Sequence, residues 1–176
     1  ELGRDLVANS EQWNIACYAD AADSAIGSIN GWTTSESNYI RIYTPQGGTE
    51  SGASQRHAGV WSDSAYRITR TNGDCLAIYA GYVLAEGLQC HVEFNNTSWY
   101  EGIWIDAAVP AGSWVKIANN IIKGTLSGTS NNLYGIRLDY EAGGDDFDVY
   151  IYGNLIYGFR NGSYSAVYGM IIQNGS

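Results

Sequence analysis

The sequence predicts an all-β protein folded as a right-handed parallel β-helix (a solenoid), and three observations lead to this prediction. The chain of 176 residues has 22 glycines, 14 tyrosines and 6 tryptophans but only 2 prolines, a composition typical of many short strands joined by tight turns. A short apolar segment that begins at Gly102 returns at Gly135 and at Gly169, 33 and 34 residues later. No convincing helical pattern lies between the strands, so each repeat resembles one coil of a solenoid and not a βαβ unit.

Strands are predicted wherever apolar and polar residues alternate along the chain. The clearest alternation accompanies the glycine repeat in the second half, and the first half shows a looser version of the same pattern. These predicted strands lie in residues 13–18, 39–43, 66–70, 83–88, 102–106, 115–122, 135–139, 149–156 and 169–173. Stacking of such coils would bury a continuous apolar core that no coil could bury alone.

The length suits a single domain over residues 1–176. We expect irregular coils in residues 1–81, with residues 1–10 as a turn or short helix over the first coil, and regular coils of about 33 residues in 82–176. The last predicted strand ends at Gln173 without an amphipathic cap. The chain is therefore either a fragment of a longer protein or is covered there by another copy of itself, as a homo-oligomer.

Two asparagines recur at the same place in successive repeats. Asn120 and Asn154 both precede a predicted strand, so stacked coils would place one side-chain amide above the other. Such ladders satisfy buried donors and acceptors at a turn. The alternative is that each asparagine marks a separate turn.

Charge excludes two classes of partner. The balance of 9 basic and 18 acidic residues gives a net charge of -9, which repels nucleic acid and anionic membranes. No apolar run approaches the roughly 20 residues that a membrane-spanning helix needs. We therefore expect neither nucleic-acid binding nor insertion into a membrane.

The three cysteines leave the redox state open. Cys17, Cys75 and Cys90 form no C-x-x-C pair, so neither zinc nor redox chemistry is indicated. Cys75 and Cys90 are candidates for a disulfide. The simpler interpretation is that all three pack as small buried residues.

Five segments have a pattern in common with a known group of proteins, and they are residues 13–18, 29–34, 38–42, 56–57 and 82–88. Together they resemble the opening of right-handed β-helix proteins of the pectate-lyase-like superfamily. The resemblance implies an extracellular or cell-surface protein, like the many uncharacterised bacterial and environmental members. The superfamily includes polysaccharide lyases, glycoside hydrolases, esterases, tailspikes and adhesins, so the fold does not select a reaction. The aspartate pair, Gly-His-Gly and Arg-x-Lys motifs of polygalacturonases are absent, which argues against pectin hydrolysis.

Strand alternation predicts two outward columns on neighbouring coils. Trp104 and Arg137 belong to one column, and Asp106, Asp139 and Gln173 form the other. Carboxylates on adjacent coils would lie about 5 Å apart at the backbone, near the separation used by retaining glycosidases. These five residues are the candidate ligand-binding set, and in an enzyme Asp106, Asp139 and Arg137 would be catalytic. The alternative is a solvated face with no ligand.

A cation site is a weaker prediction. Glu141, Asp145, Asp146 and Asp148 lie among glycines in one loop, and carboxylates on a pliable backbone suit calcium. The spacing departs from the EF-hand pattern. A merely solvated acidic loop is the alternative, and no cofactor is required.

Aromatic residues support the functional prediction. Rings on one outward face would form a stacking platform for sugars or an interface with a partner. The candidates are Trp61, Trp99, Tyr100, Trp104, Tyr134, Tyr140, Tyr157, Tyr164 and Tyr168. We therefore predict a non-catalytic surface module that binds carbohydrate or another surface. The alternatives are a self-assembling structural protein, of fibre or tailspike type, and a polysaccharide lyase or glycoside hydrolase.

Overall fold

The computed structural model describes residues 3–47, 50, 52–96, 98–126, 132–140, 146–159 and 166–174. Within these ranges the chain forms strands and turns but no helix, and so no helix that is long and apolar enough to cross a membrane. The strands are β1 (Trp13–Ala16), β2 (Gly27–Ile29), β3 (Ile40–Tyr43), β4 (Ile68–Thr71), β5 (Leu76–Ile78), β6 (Val83–Glu86), β7 (Gln89–Phe94), β8 (Trp99–Ile105), β9 (Trp114–Ala118), β10 (Ile121–Leu126), β11 (Asn132–Tyr140), β12 (Asp148–Tyr152), β13 (Leu155–Tyr157) and β14 (Ala166–Asn174).

These strands form three parallel sheets. The first sheet has the order β1-β3-β6-β9-β12, the second β13-β10-β7-β4, and the third β14-β11-β8-β5-β2. From β3 onward the chain enters the first, second and third sheets in turn, so each successive repeat adds one strand to every sheet. The prediction of an all-β chain with parallel sheets is confirmed for the described residues, in an arrangement consistent with a solenoid.

The first repeat is incomplete in its described part. β1 pairs with β3 and β2 pairs with β5, but in the second sheet Asp23 alone pairs with Ile68, through an isolated bridge. Before this repeat the chain makes a turn, not a helix, and the Leu6 N–H donates to the carbonyl of Thr33 at 3.0 Å. Leu6 is fully buried, so the turn covers part of the first repeat.

The core is one cluster of side chains drawn from all three sheets. Ile117 of the first sheet, Ile122 of the second and Ile103 of the third are each 0% exposed. Full burial of such a side chain stabilises the fold by roughly 1.5–3 kcal/mol relative to exposure. Side chains at equivalent positions of successive repeats stack on each other. Ile103 of β8, for example, pairs with Ile136 of β11.

The predicted asparagine ladder is confirmed. The Asn120 amide donates to Asn154 Oδ1 at 3.0 Å and to the Ala85 carbonyl at 3.1 Å, while its own Oδ1 accepts the Leu88 N–H at 2.8 Å. Asn120 is 0% exposed. The ladder therefore satisfies backbone groups at the corner that precedes the second sheet.

The glycines of the repeat stack in a column where strict alternation breaks. Tyr100 and Ile103 both pack on the core although alternation would place them on opposite faces. Gly102 lies between them, and a Cβ there would stand 2.3 Å from Ile122 Cγ2 and 2.6 Å from the Gly135 carbonyl oxygen. Only glycine allows the strand to approach its neighbours so closely. Before Gly102 the odd-numbered residues of β8 point outward, and after it the even-numbered residues do.

The last repeat leaves apolar side chains uncovered. Met170 of β14 pairs in register with the buried Ile136 of β11, and Ile172 pairs with the partly buried Leu138, yet Met170 and Ile172 are 48% and 60% exposed. Leu155 of β13 pairs with the fully buried Ile121 and is 43% exposed. These three exposed residues form the open apolar end of the stack.

The cysteines are free thiols in this structure. Cys75 and Cys90 are fully buried, and the Cys75 thiol donates to the His91 carbonyl at 3.7 Å. Burial raises the pKa of Cys75 well above its usual value, and the contact with Cys90 raises it further. Cys17 is only partly buried. The packing interpretation thus describes two of the three cysteines.

Candidate functional site

The outward face of the third sheet gathers most of the predicted site residues. Pairing of β8 with β11 sets Trp104 beside Arg137, and pairing of β11 with β14 sets Asp139 beside Gln173. Asp106 directly follows Ile105, which pairs with Leu138, so Asp106 and Asp139 belong to the same column. The sequence prediction of which residues share this face is therefore confirmed.

Arg137 is the centre of a buried network of charged and polar side chains on this face. Its Nε donates to Asp139 Oδ1 at 2.8 Å, and its two terminal nitrogens lie 2.8 Å from Asp139 Oδ2 and 3.0 Å from Glu101 Oε1. The side chains of Arg137, Asp139 and Glu101 are only 11%, 5% and 4% exposed. The bidentate contact between Arg137 and Asp139 fixes the orientation of both side chains, and burial strengthens the attraction between their charges.

Aromatic rings surround the guanidinium. Arg137 Cζ lies 5.4 Å from the ring centre of Trp104, 5.8 Å from that of Trp99 and 6.0 Å from that of Tyr134. These distances allow cation–π attraction. Trp104 is fixed further, because its indole Nε1 donates to Asp139 Oδ2 at 2.9 Å.

The exposed part of the face is aromatic. Trp99 is 50% exposed and Tyr168 is 44% exposed, whereas Tyr134 is buried. Tyr134 stacks on Tyr168 with ring centres 6.0 Å apart and planes at 20°. The two solvent-facing rings are thus connected through buried groups, because Trp99 contacts Arg137, Arg137 contacts Tyr134, and Tyr134 stacks on Tyr168. We call these four residues the aromatic ridge.

Glu101 and Asp74 form a carboxyl pair beneath the ridge. Burial raises the pKa of Glu101 to about 8, a hydrogen bond and the charge of Asp74 raise it too, and Arg137 opposes the change. The Glu101 N–H also donates to Asp74 Oδ1 at 2.9 Å. Glu101 is therefore largely protonated at neutral pH.

The two carboxylates predicted as catalytic have different surroundings. Asp139 has hydrogen-bond donors on both oxygens, from Arg137 and from Trp104. Asp106 is half-buried, and its Oδ1 accepts the Ala108 N–H at 2.8 Å in the turn that follows β8. Each carboxylate thus has a structural partner in this structure, and their catalytic roles with Arg137 stay predictions.

The acidic loop falls largely outside the described residues. Glu141 and Asp145 lie there, while Asp146 and Asp148 are exposed, and Asp148 Oδ2 accepts the Tyr150 hydroxyl at 3.3 Å. In the part of the chain that the structure describes, no three His, Cys, Asp or Glu side chains are grouped to hold a metal ion. The calcium site stays a prediction.

Sequence reasoning did not identify Glu101 or Asp74. Strict alternation from Ile103 directs Glu101 towards the core, and only the break at Gly102 brings it into contact with Arg137. The repeat did contain one signal that Glu101 has a special role. The equivalent positions in the next two repeats are Tyr134 and Tyr168, so Glu101 is an acid in a column of tyrosines. Asp74 lies in a turn and carries no periodic signal.

No family model, curated protein or solved structure matches the chain. The resemblance to the pectate-lyase-like superfamily therefore stays a prediction. Function has to be inferred from the geometry of the aromatic ridge and of the other exposed surfaces.

Proposed function

We propose that the three sheets are the faces of a right-handed β-helix, and that this chain is a non-catalytic, extracellular or cell-surface module that binds carbohydrate through the aromatic ridge. The observation that carries the proposal is the pair of exposed rings, Trp99 and Tyr168, supported from below by Arg137 and Tyr134. The cyclic order of the strands through three parallel sheets supports the β-helix.

The ridge suits a sugar chain for physical reasons. The apolar face of a pyranose ring stacks on an aromatic ring, while neighbouring polar groups take its hydroxyls. Two rings displaced along a sheet match an extended ligand better than a compact one, because successive strands are spaced by ~4.8 Å. The rings are held on strands and not on loops, so little conformational entropy is lost when a ligand binds.

The surroundings of the carboxyl groups favour binding over catalysis. A retaining glycosidase needs a carboxylate that is free to attack and an acid that can deliver its proton to the substrate. Asp139 is held by Arg137 and Trp104, and the Glu101 carboxyl group is buried under the ridge against Arg137 and Asp74. An enzyme would have to break these contacts before it could react.

The binding test is affinity electrophoresis through gels that contain homogalacturonan, xylan or mixed-linkage β-glucan. We expect at least one polysaccharide to retard the protein, and Trp99→Ala to weaken binding about tenfold, which equals about 1.4 kcal/mol. Tyr168→Ala should weaken it as well. Tyr152→Ala is the matched control, since Tyr152 is an exposed tyrosine on the first sheet.

Two outcomes would oppose this assignment. Equal retardation of the protein in every gel and in a plain gel means that the ridge does not bind these polymers. An equal effect of Tyr152→Ala means that any exposed ring suffices. If the protein released reducing or unsaturated sugar ends from a polysaccharide, and Asp139→Asn abolished this release, the enzyme alternative would be favoured. Asp106→Asn should leave polysaccharide binding intact.

A second candidate function, self-assembly, is favoured by the open apolar end. Met170 and Leu155 pair with the fully buried Ile136 and Ile121, and Ile172 pairs with the partly buried Leu138. We propose that a second copy of the chain covers the open apolar end, because the edges of β12, β13 and β14 at this end also have no further strand paired to them within the described residues. A stack of copies would continue both the core and the hydrogen bonding.

Light scattering across a range of protein concentrations tests the assembly. We expect the molar mass of the wild type to rise with concentration and Ile172→Glu to keep the protein monomeric, because the new charge would have to be buried. Val60→Glu changes an exposed apolar residue elsewhere and should behave as the wild type does. A wild-type protein that stays monomeric at every concentration contradicts the assembly.

A further inference from the structure

A cavity of about 460 Å³ opens inside the first repeat. Most of its wall is apolar and comes from Trp13, Ile15, Trp32, Ile42, Ile68 and Leu76. The cavity exists because, among the described residues, the first repeat supplies no strand to the second sheet, where Asp23 makes only a single bridge to Ile68. Residues at the mouth, such as Ala25 and Ile26, are exposed.

Three of the polar side chains in the wall are Tyr66, Asp23 and Cys17. The Tyr66 hydroxyl donates to Asp23 Oδ2 at 2.8 Å, and the Cys17 thiol donates to the Ile15 carbonyl at 3.8 Å. Burial raises the pKa of Cys17 to about 11 and raises that of Tyr66, so both are neutral at physiological pH.

We propose that this cavity binds a small, uncharged, largely apolar molecule that carries one hydrogen-bonding group. An apolar enclosure with a few convergent polar groups is the usual form of a small-molecule site. An anion is disfavoured by Asp23 and by the net charge of -9, and any buried charge would lose its hydration without a full set of partners. The ligand's polar group would meet the Tyr66 hydroxyl or the Cys17 thiol.

The gain in free energy comes from apolar surface that the protein does not itself cover. Ile26 is 42% exposed, and Trp13, Trp32 and Ile15 are each only partly buried. A ligand that removes this surface from water is stabilised in proportion to the area covered. This site is separate from the aromatic ridge, because none of the ridge residues lines the cavity.

The test uses N-phenyl-1-naphthylamine, a neutral apolar fluorophore with one N–H donor. We expect saturable binding with one probe per chain and energy transfer from the tryptophans of the wall. Ala25→Trp places a bulky ring at the mouth and should weaken binding at least tenfold. Ala21→Trp, at an exposed position outside the wall, is the matched control and should leave binding unchanged.

Further variants separate this site from the other exposed apolar surfaces. Tyr66→Phe retains the shape but lacks the hydroxyl, and should weaken binding about fivefold, as expected for one hydrogen bond. Trp99→Ala and Ile172→Glu should have no effect. The proposal is overturned if no saturable binding occurs, if Ala25→Trp binds the probe as the wild type does, or if Ile172→Glu abolishes binding.

Discussion

Replacing Arg137 by methionine is expected to lower the free energy of unfolding by about 4 kcal/mol, because it leaves Asp139 as a buried carboxylate without its cation. The methionine chain refills most of the space, so the loss is mainly electrostatic. The Trp104 indole would still donate to Asp139, but a single neutral donor cannot offset burial of the charge. Urea unfolding followed by tryptophan fluorescence measures the change.

The matched control is Arg67→Met. Arg67 pairs with Asp63, whose side chain is 82% exposed, and solvent-exposed pairs of this kind contribute only about 0.5 kcal/mol or less. A loss in Arg137→Met no larger than the loss in Arg67→Met would mean that the network adds nothing to stability.

The stability loss of Arg137→Met should also depend on pH. In the wild type the pKa of Glu101 is raised to about 8 from an ordinary 4.5. As the pH rises, the Glu101 carboxyl group therefore loses its proton in the unfolded chain before it does so in the folded chain. The stability that this group contributes is complete below the ordinary value and is lost as the pH rises through 8. Arg137 moderates that loss because it lowers the Glu101 pKa. We therefore expect the deficit of Arg137→Met to be larger at pH 9 than at pH 5, and a constant deficit would contradict the assignment.

Replacing Gly102 by alanine is expected to destabilise the fold by about 3 kcal/mol, at the upper end of overpacking effects. The added Cβ would lie 2.3 Å from Ile122 Cγ2 and 2.6 Å from the Gly135 carbonyl oxygen. Neither group can move freely, since Ile122 is fully buried and Gly135 belongs to the neighbouring strand. Chemical unfolding of the purified variant gives the value directly.

Gly169 provides the matched control in the same column. A Cβ there would meet Ile156 Cγ2 at an ordinary 3.8 Å. Because alanine also restricts the unfolded chain, Gly169→Ala should be neutral or stabilising by up to about 1 kcal/mol. Equal destabilisation by the two substitutions would show that close approach in the column is not what requires glycine at position 102.

The two outward columns that contain Arg137 and Asp139 were predictable, and so were the parallel sheets and the contact of Asn120 with Asn154. These features follow from local rules, since side chains alternate along a strand and equal positions stack when strands of one sequence repeat are paired.

The sequence by itself determined the all-β class, the repeat and which residues share the outer face, because each depends on spacing along one or two strands. Only the tertiary structure decided the protonation of Glu101, the pairing of Asp139 with Arg137 and Trp104, and the cavity beside Tyr66. Glu101 reaches the network through a break in alternation at Gly102, where three strands approach too closely for a side chain. The cavity arises from a strand that the first repeat does not supply to the second sheet in its described part. Both depend on contacts between residues far apart in the chain, which no local period encodes.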